Sequence, residues 1–200
     1  MDSASVNLPV MAASGVNQFL ELLATPDLPD LGPGPRPGVQ AEGSLKEKLQ
    51  SLLTKSNLPP QNQQLITSLV LLWHDHAEPA HVIAQEIENA DGSFVHGIVH
   101  RREPDYWNSK YWFRKVGRHP AYGPLAQRAS SLLESNKPLR EVLVHEGEWD
   151  AMGFIDACEH AAKKGKPGPE HLLLRQIQKI ETESLLEYFL TISSKSGTSW

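Results

Sequence analysis

The chain has 200 residues, of which 40% are hydrophobic and 22% are charged, and these proportions fit one compact globular domain or a domain with a tail. The formal net charge of -5 argues against a broad surface for binding polyanions. The single cysteine, Cys158, excludes an internal disulfide, a thiolate zinc site and an iron–sulfur cluster. Any metal ion must therefore be held by histidine and carboxylate side chains.

The N-terminus has Asp2 and no Lys or Arg before its first apolar stretch, so it lacks the charged region of a signal peptide. The longest apolar run, from Leu65 to Trp73, is much shorter than the roughly 20 residues that cross a bilayer. Together with the single cysteine, these features lead us to expect a cytoplasmic protein with no membrane partner.

Residues 1–43 combine a short helical pattern with a Pro/Gly-rich arm. The apolar residues Val16, Phe19, Leu20 and Leu23 have the spacing of a helix, while Pro26 to Gly38 cannot sustain one because proline removes backbone donors. We expect an extended arm here, and the short helix docks either on the body of the protein or on a second subunit. The latter would give a homodimer formed through the arm.

Residues 44–192 have helical patterns, beginning with Ser44 and Glu47, which match a capping box. The next helix opens at Pro59–Pro60 and is apolar almost all round before Trp73, as expected of a central buried helix. Further helices are predicted over residues 78–88, 94–100, 106–116, 124–133, 149–163 and 173–192.

The stretch from Arg140 to His145 alternates like a strand, but the sequence offers no second strand to pair with it, so we interpret it as a loop or helix end. The predicted fold class is therefore all-α, a single compact multi-helix domain over residues 44–192. Residues 193–200 are polar, and we expect a frayed tail there.

Six of the nine histidines lie between His74 and His119. His96 and His100 are four residues apart, so both imidazoles lie on one helical face, where two nitrogens can meet one metal ion. Further ligands can come from the bend that contains His74, His76 and His81. Imidazole and carboxylate ligands suit a divalent Zn, Fe, Ni or Mn ion. The alternative is that these histidines form ordinary hydrogen bonds to carbonyl or carboxylate groups.

A second cluster combines cations with aromatic rings over residues 101–118. We expect a small anionic or polar molecule to be bound here, because arginine grips carboxylate or phosphate and aromatic rings stack on planar groups. The predicted ligand-binding residues are Arg101, Arg102, Lys110, Tyr111 and Arg114. The alternative is that the arginines pair with neighbouring acids and the rings belong to the core.

Three residues are candidates for catalysis. Glu103 lies at a chain break beside Pro104 and close in sequence to His100, where a carboxylate and an imidazole can supply acid–base chemistry. Asp75, next to His74, is the third candidate. Glu103 has an equally simple alternative role as the counter-ion of Arg102.

Four motifs carry a resemblance: Trp73-His-Asp-His76, the run from His96 to Tyr106 (HGIVHRREPDY), the run from Lys110 to Arg114 (KYWFR), and Gly117-Arg-His-Pro120. In these the chain resembles a group of hypothetical proteins from bacteria and fungi. The resemblance covers roughly residues 70 to 160. It implies that these residues form one site, and it implies no reaction, cofactor or residue role.

The sequence therefore predicts a small-molecule enzyme or ligand-binding protein whose pocket is lined by histidine, arginine and glutamate. If it is an enzyme, metal-dependent hydrolase or lyase chemistry on an anionic or polar substrate is the class we expect. The alternative is a non-catalytic protein-interaction module that uses residues 101–118. Nucleic acid is not expected as the main partner because binding phosphates needs an accumulated positive charge.

Overall fold

The computed structural model describes residues 13–165 and 167–191, and this part of the chain is almost entirely helical. Its helices are α1 (Ala13–Glu21), α2 (Glu42–Leu53), α3 (Pro60–Trp73), α4 (Ala77–Gln85), α5 (Ala90–Arg102), α6 (Tyr106–Val116), α7 (Tyr122–Leu132), α8 (Lys137–Leu143), α9 (Ala151–Lys164) and α10 (Pro169–Thr191). Strands β1 (Val144–His145) and β2 (Glu148–Trp149) form one short antiparallel pair. The all-α prediction is confirmed.

Two predicted details are wrong. The Ser44 capping box does not form, because α2 begins at Glu42 and its cap residue Ala41 makes no side-chain hydrogen bond to the helix. The stretch from Arg140 to His145 is the end of α8 as far as Leu143, as interpreted, but its last two residues form β1 and do have a partner, since a tight turn folds β2 back onto β1. The predicted frayed tail, residues 193–200, and the first 12 residues of the predicted arm lie outside the described residues.

The central helix α3 is buried almost all round in its second half, as its sequence predicts. It packs against α2, α4, α5 and α10, and α5 forms a hairpin with α6. Where the residues are described, none of the helices has the length and apolar character needed to cross a bilayer. The α4–α5–α6 arrangement is the part of the fold that positions the candidate site.

The turn between α5 and α6 fixes how these two helices face each other. α5 ends at Arg102, and the Asp105 carboxylate caps α6 by accepting a hydrogen bond from the Asn108 backbone N–H at 3.2 Å. The Ser109 hydroxyl donates to the Gly97 carbonyl oxygen at 2.8 Å. A Cβ on Gly97 would lie 2.7 Å from the Phe113 ring, so only glycine permits this close approach of the helices.

The segment between α1 and α2 contains turns and bends and is tied to the body by polar contacts. The Asp75 carboxylate accepts hydrogen bonds from Arg36, at 2.9 Å from its backbone N–H and 2.6 Å from Nη1. Earlier in the segment, the Arg175 side chain donates to the Pro29 carbonyl oxygen at 3.0 Å, and Gln178 donates to the Asp30 carbonyl oxygen at 3.1 Å. These contacts join the segment to α10 as well as to the end of α3.

Candidate metal centre

Three histidines from two helices come together at one edge of the α4–α5–α6 unit. His96 and His100 lie one turn apart on α5, and His81 reaches them from α4. We call these three residues the histidine triad. The Asn89 side chain caps α5 by accepting from the Gly92 backbone N–H at 2.8 Å, which fixes where α5 begins relative to α4.

The ring nitrogens of the histidine triad converge. The Nε2 atom of His96 lies 2.7 Å from Nε2 of His81 and 3.0 Å from Nε2 of His100. One possible ligand atom from each ring lies within 4.8 Å of the other two. An imidazole nitrogen holds either one proton or one lone pair in the ring plane, so it cannot form good hydrogen bonds to two neighbours at once. A shared metal ion satisfies all three nitrogens together.

The Glu103 carboxylate lies on the opposite edge of two of these rings. Its Oε2 is 3.2 Å from Nδ1 of His100, and its Oε1 is 3.6 Å from Nδ1 of His81. A carboxylate that faces Nδ1 favours the tautomer with the proton on that nitrogen, which leaves the Nε2 lone pair available to a metal ion. Glu103 is therefore placed to orient ligands rather than to act as a ligand.

Two residues of α6 complete the surroundings of the histidine triad. The Trp112 ring stacks on His96 with a centroid distance of 4.1 Å. The Asn108 side-chain amide lies 3.2 Å from Nε2 of His100. The Nδ1 atom of His96 is buried and has no hydrogen-bond partner among the described residues.

The histidine triad can bind a metal cation only when its imidazoles are neutral. Burial, reinforced by the charges of His100, His81 and Lys115, lowers the pKa of His96 to about 3. Burial also lowers the pKa of His100, although Glu103 opposes that shift. Both rings are therefore neutral near pH 7, which is the form in which imidazole binds a metal ion.

His74 and His76, predicted as further ligands, lie elsewhere, and this corrects the predicted ligand set. Nδ1 of His74 accepts from the Gln40 backbone N–H at 3.2 Å, so its Nε2 carries the proton and donates to the Leu22 carbonyl oxygen at 2.7 Å. Nε2 of His76 donates to the Gln40 carbonyl oxygen at 2.8 Å. The nitrogens of His74 and Nε2 of His76 thus anchor the segment before α2.

His74 leads to a prediction about pH. Burial lowers the pKa of this fully buried imidazole below its ordinary value of 6.5. The unfolded chain therefore binds a proton that the folded chain resists, and stability is lost as the pH falls below about 6.5. Between pH 6.5 and 5, the free energy of unfolding should depend on pH less steeply in His74→Gln than in the wild type, by up to about 1.4 kcal/mol per pH unit. Urea unfolding of EDTA-treated protein measures both slopes, and equal slopes would contradict this role.

Asp75 and Arg102, predicted as a catalytic and a ligand-binding residue, instead form a buried structural pair. The Arg102 guanidinium donates to Asp75 at 2.7 Å and to the Leu72 carbonyl oxygen at 2.7 Å. Burial raises the pKa of Asp75, but the hydrogen bonds from Arg102 and Arg36 outweigh it and leave the pKa below its ordinary value. Both groups are hydrogen-bonded within the fold, so neither is free to act at the histidine triad.

Arg101 is likewise buried and not available to a ligand. Its guanidinium donates to both carboxylate oxygens of Glu181 in α10, with Nη1 at 3.0 Å from Oε1. The guanidinium carbon lies 4.4 Å from the centroid of the Phe154 ring. Arg101 therefore joins α5 to α9 and α10 in the core.

The remaining predicted ligand-binding residues lie on α6. Lys110 forms a salt bridge with Asp156 of α9, so its charge is compensated there. Tyr111 and Arg114 are exposed, and Arg114 forms no salt bridge with any residue that the structure describes. Lys110, predicted as a ligand-binding residue, therefore has its ammonium group held by α9.

Sequence reasoning did not assign Asn108, Trp112 and Lys115 to the site. Asn108 and Trp112 are four residues apart, so they share one face of α6, and that face meets His96 and His100. The apolar period of α6 marks a different face, the one buried through Phe113 and Val116, so it does not point to Asn108 and Trp112. In comparisons with protein-family models, curated proteins and solved structures, no match to the chain was found.

Proposed function

We propose that the histidine triad binds one divalent metal ion and that the protein uses this ion to activate water. The single observation that carries the proposal is the convergence of three Nε2 atoms, two of them on rings whose Nδ1 atoms face Glu103. Neutral imidazoles on one side and a carboxylate behind them form the arrangement that orients ligands in metalloenzymes.

Zinc is the ion that this donor set fits best among Zn, Fe, Ni and Mn. Three neutral nitrogen ligands and one free position are the composition of several catalytic zinc sites. The free position suits water, because no fourth histidine, cysteine or acid joins the group within the described residues. A metal-bound water has its pKa lowered to about 7, so it supplies hydroxide near neutral pH.

The class of reaction that follows is hydrolysis or lyase chemistry on a polar or anionic small molecule. With an ion bound, His81, His96 and His100 would hold it, and the ion would supply a hydroxide nucleophile and polarise a carbonyl or phosphoryl oxygen. The side chains of His81 and Glu103 are 25% and 32% exposed, so the site borders solvent and a small molecule can approach it. Glu103 acts here as a positioning residue because it contacts histidines rather than the open position.

Zinc titration of EDTA-treated protein tests the metal centre. We expect one zinc ion per chain, and we expect His96→Ala or His100→Ala to weaken binding by more than about 100-fold, since losing even an outer partner can cost that much. His81→Ala alters the most exposed ligand and keeps the test valid if the buried variants do not fold. His145→Ala, at a side chain 61% exposed and outside the triad, is the matched control and should bind as the wild type. Equal binding in all four variants would overturn the proposal.

A second measurement tests catalysis. Zinc-loaded protein should hydrolyse p-nitrophenyl acetate faster than EDTA-treated protein, and addition of zinc should restore the lost rate. The His145→Ala control should keep this rate. Zinc binding without any metal-dependent hydrolysis would remove the enzyme from the proposal and leave a metal-dependent binding protein.

We also propose that the chain works in a reducing, cytoplasmic compartment and that its N-terminal arm packs on its own body. Support for the first comes from Cys158, which is a buried free thiol. Support for the second comes from Arg36, whose side chain donates to Asp75 of the same chain.

A further inference from the structure

An exposed row of side chains on α6 borders the histidine triad. Trp107, Tyr111 and Lys115 are spaced four residues apart and so lie along one face of the helix. Trp107 is 75% exposed and Tyr111 is 39% exposed, and their rings are nearly parallel at an angle of 12° with centroids 6.5 Å apart. We call these three residues and Trp112 the aromatic face. Exposed groups of large aromatic rings are typical of binding surfaces.

Ring contacts connect the aromatic face to the histidine triad. Tyr111 meets Trp112 edge to face at 5.3 Å, and Trp112 stacks on His96 at 4.1 Å. The path from the solvent-exposed ring of Tyr111 to a proposed metal ligand thus passes through a single side chain. A molecule seated on the aromatic face would lie beside the metal centre.

The charge of the aromatic face is positive. The Lys115 ammonium lies 4.8 Å from the Tyr111 centroid and 4.5 Å from the Trp112 centroid. Helix α6 contains three cations and no acidic residue. Lys110 is paired with Asp156, whereas neither Arg114 nor Lys115 forms a salt bridge with a residue in the described ranges. Two charges near the end of α6 are therefore left to attract an anion.

From these observations, we infer that the aromatic face binds the substrate of the proposed metal centre, and that this substrate carries a planar ring and a carboxylate or phosphate group. The ring stacks on Trp107 and Tyr111, and the anionic group pairs with Lys115. The inference rests on the proposed function in calling this molecule a substrate, but the binding of the molecule to the aromatic face does not require the metal ion.

Two anionic probes with the same ring test the inference and distinguish a carboxylate ligand from a phosphate ligand. The affinities of 1-naphthoate and 1-naphthyl phosphate for EDTA-treated protein are measured by calorimetry, with cyclohexanecarboxylate and neutral 1-naphthalenemethanol as comparisons. We expect at least one naphthyl anion to bind more tightly than both comparisons, and the stronger of the two identifies the anionic group. Equal affinities for all four compounds, or no binding, would overturn the inference.

Variants locate the binding. Trp107→Ala and Lys115→Met should each weaken the naphthyl anion about five- to tenfold, the size expected for one stacking or one charged contact. Leu172→Ala, at an exposed apolar side chain on α10, is the matched control and should change nothing. Unchanged affinity in Trp107→Ala and Lys115→Met would show that the anion binds elsewhere and would overturn the inference.

Zinc titration of the same variants separates this inference from the proposed function. Trp107→Ala and Lys115→Met should bind zinc as the wild type, since neither residue is a proposed ligand. Anion binding that is sensitive to these variants in a protein that binds no zinc would support the aromatic face and defeat the metal centre. Sedimentation velocity tests whether a second copy of the chain occupies the aromatic face instead. Self-association that Trp107→Ala abolishes, in a protein that binds no naphthyl anion, would assign the face to that second copy and overturn the inference.

Discussion

Replacing Glu181 with leucine is expected to lower the free energy of unfolding by about 3–5 kcal/mol, because the change leaves the Arg101 charge buried without a partner. Both side chains are 0% exposed. The two carboxylate oxygens of Glu181 accept from the two terminal nitrogens of Arg101. The Nε atom of Arg101 has no hydrogen-bond partner among the described residues, so the guanidinium already lacks one contact before the carboxylate is removed.

A double variant is the control for this prediction. Arg101→Met combined with Glu181→Leu removes both charges, and an apolar pair of similar volume is often as stable as a buried ion pair. The double variant should therefore recover most of the stability that Glu181→Leu loses. Urea unfolding at pH 7 measures all of these free energies. A cost below about 1 kcal/mol for Glu181→Leu would contradict the prediction, since it would show that water or relaxation satisfies the arginine.

Glu103→Gln is expected to weaken zinc binding by about 10- to 100-fold with little effect on folding. The carboxylate faces Nδ1 of His81 and of His100, and its two oxygens are both acceptors, so it favours a proton on Nδ1 of each ring. An amide has one oxygen and one NH2 group, so it accepts from one ring and turns a donor toward the other. The second ring then loses the preference for the tautomer that leaves Nε2 free.

Zinc affinity and thermal stability of Glu103→Gln decide this prediction together. Glu78→Gln is the matched control. Glu78 is an exposed acid on α4, so its substitution removes the same charge from a side chain that does not face a triad ring. Equal losses of zinc affinity in the two variants would show that only long-range charge matters. Unchanged affinity in Glu103→Gln would show that the carboxylate does not orient the ligands.

The helices of the fold could be predicted from the sequence because their apolar residues repeat with the period of a helix. The α6 bounds, Tyr106–Val116, match the prediction because Pro104 and Gly117 flank a continuous pattern. The hairpin of β1 and β2 could not be predicted, because most of the alternating stretch from Arg140 to His145 belongs to α8 and the two residues of β2 leave no alternation of their own to detect. The start of α2 was missed because the capping box at Ser44 is a local signal, and the helix continues beyond it to Glu42.

Only the part of the candidate site that lies on a single helix could be predicted from the sequence. The spacing of His96 and His100 places both on one face of α5, and the structure confirms that they lie together. Sequence spacing could not choose His81 over His74 and His76, because that choice depends on how α4 crosses α5. Nor could it reveal that Arg101 is bound by Glu181, which lies 80 residues away along the chain.

The contacts of the segment between α1 and α2 set an order on folding. Its partners Arg175 and Gln178 are 146 and 148 residues away in sequence, whereas Asp75 is 39 residues from Arg36. Closing such long loops is slow, and a chain made from its N-terminus has no α10 until long after this segment has been synthesised. Pro29 and Asp30 therefore stay without these partners until α10 emerges from the ribosome, so this early segment reaches its final contacts late in folding.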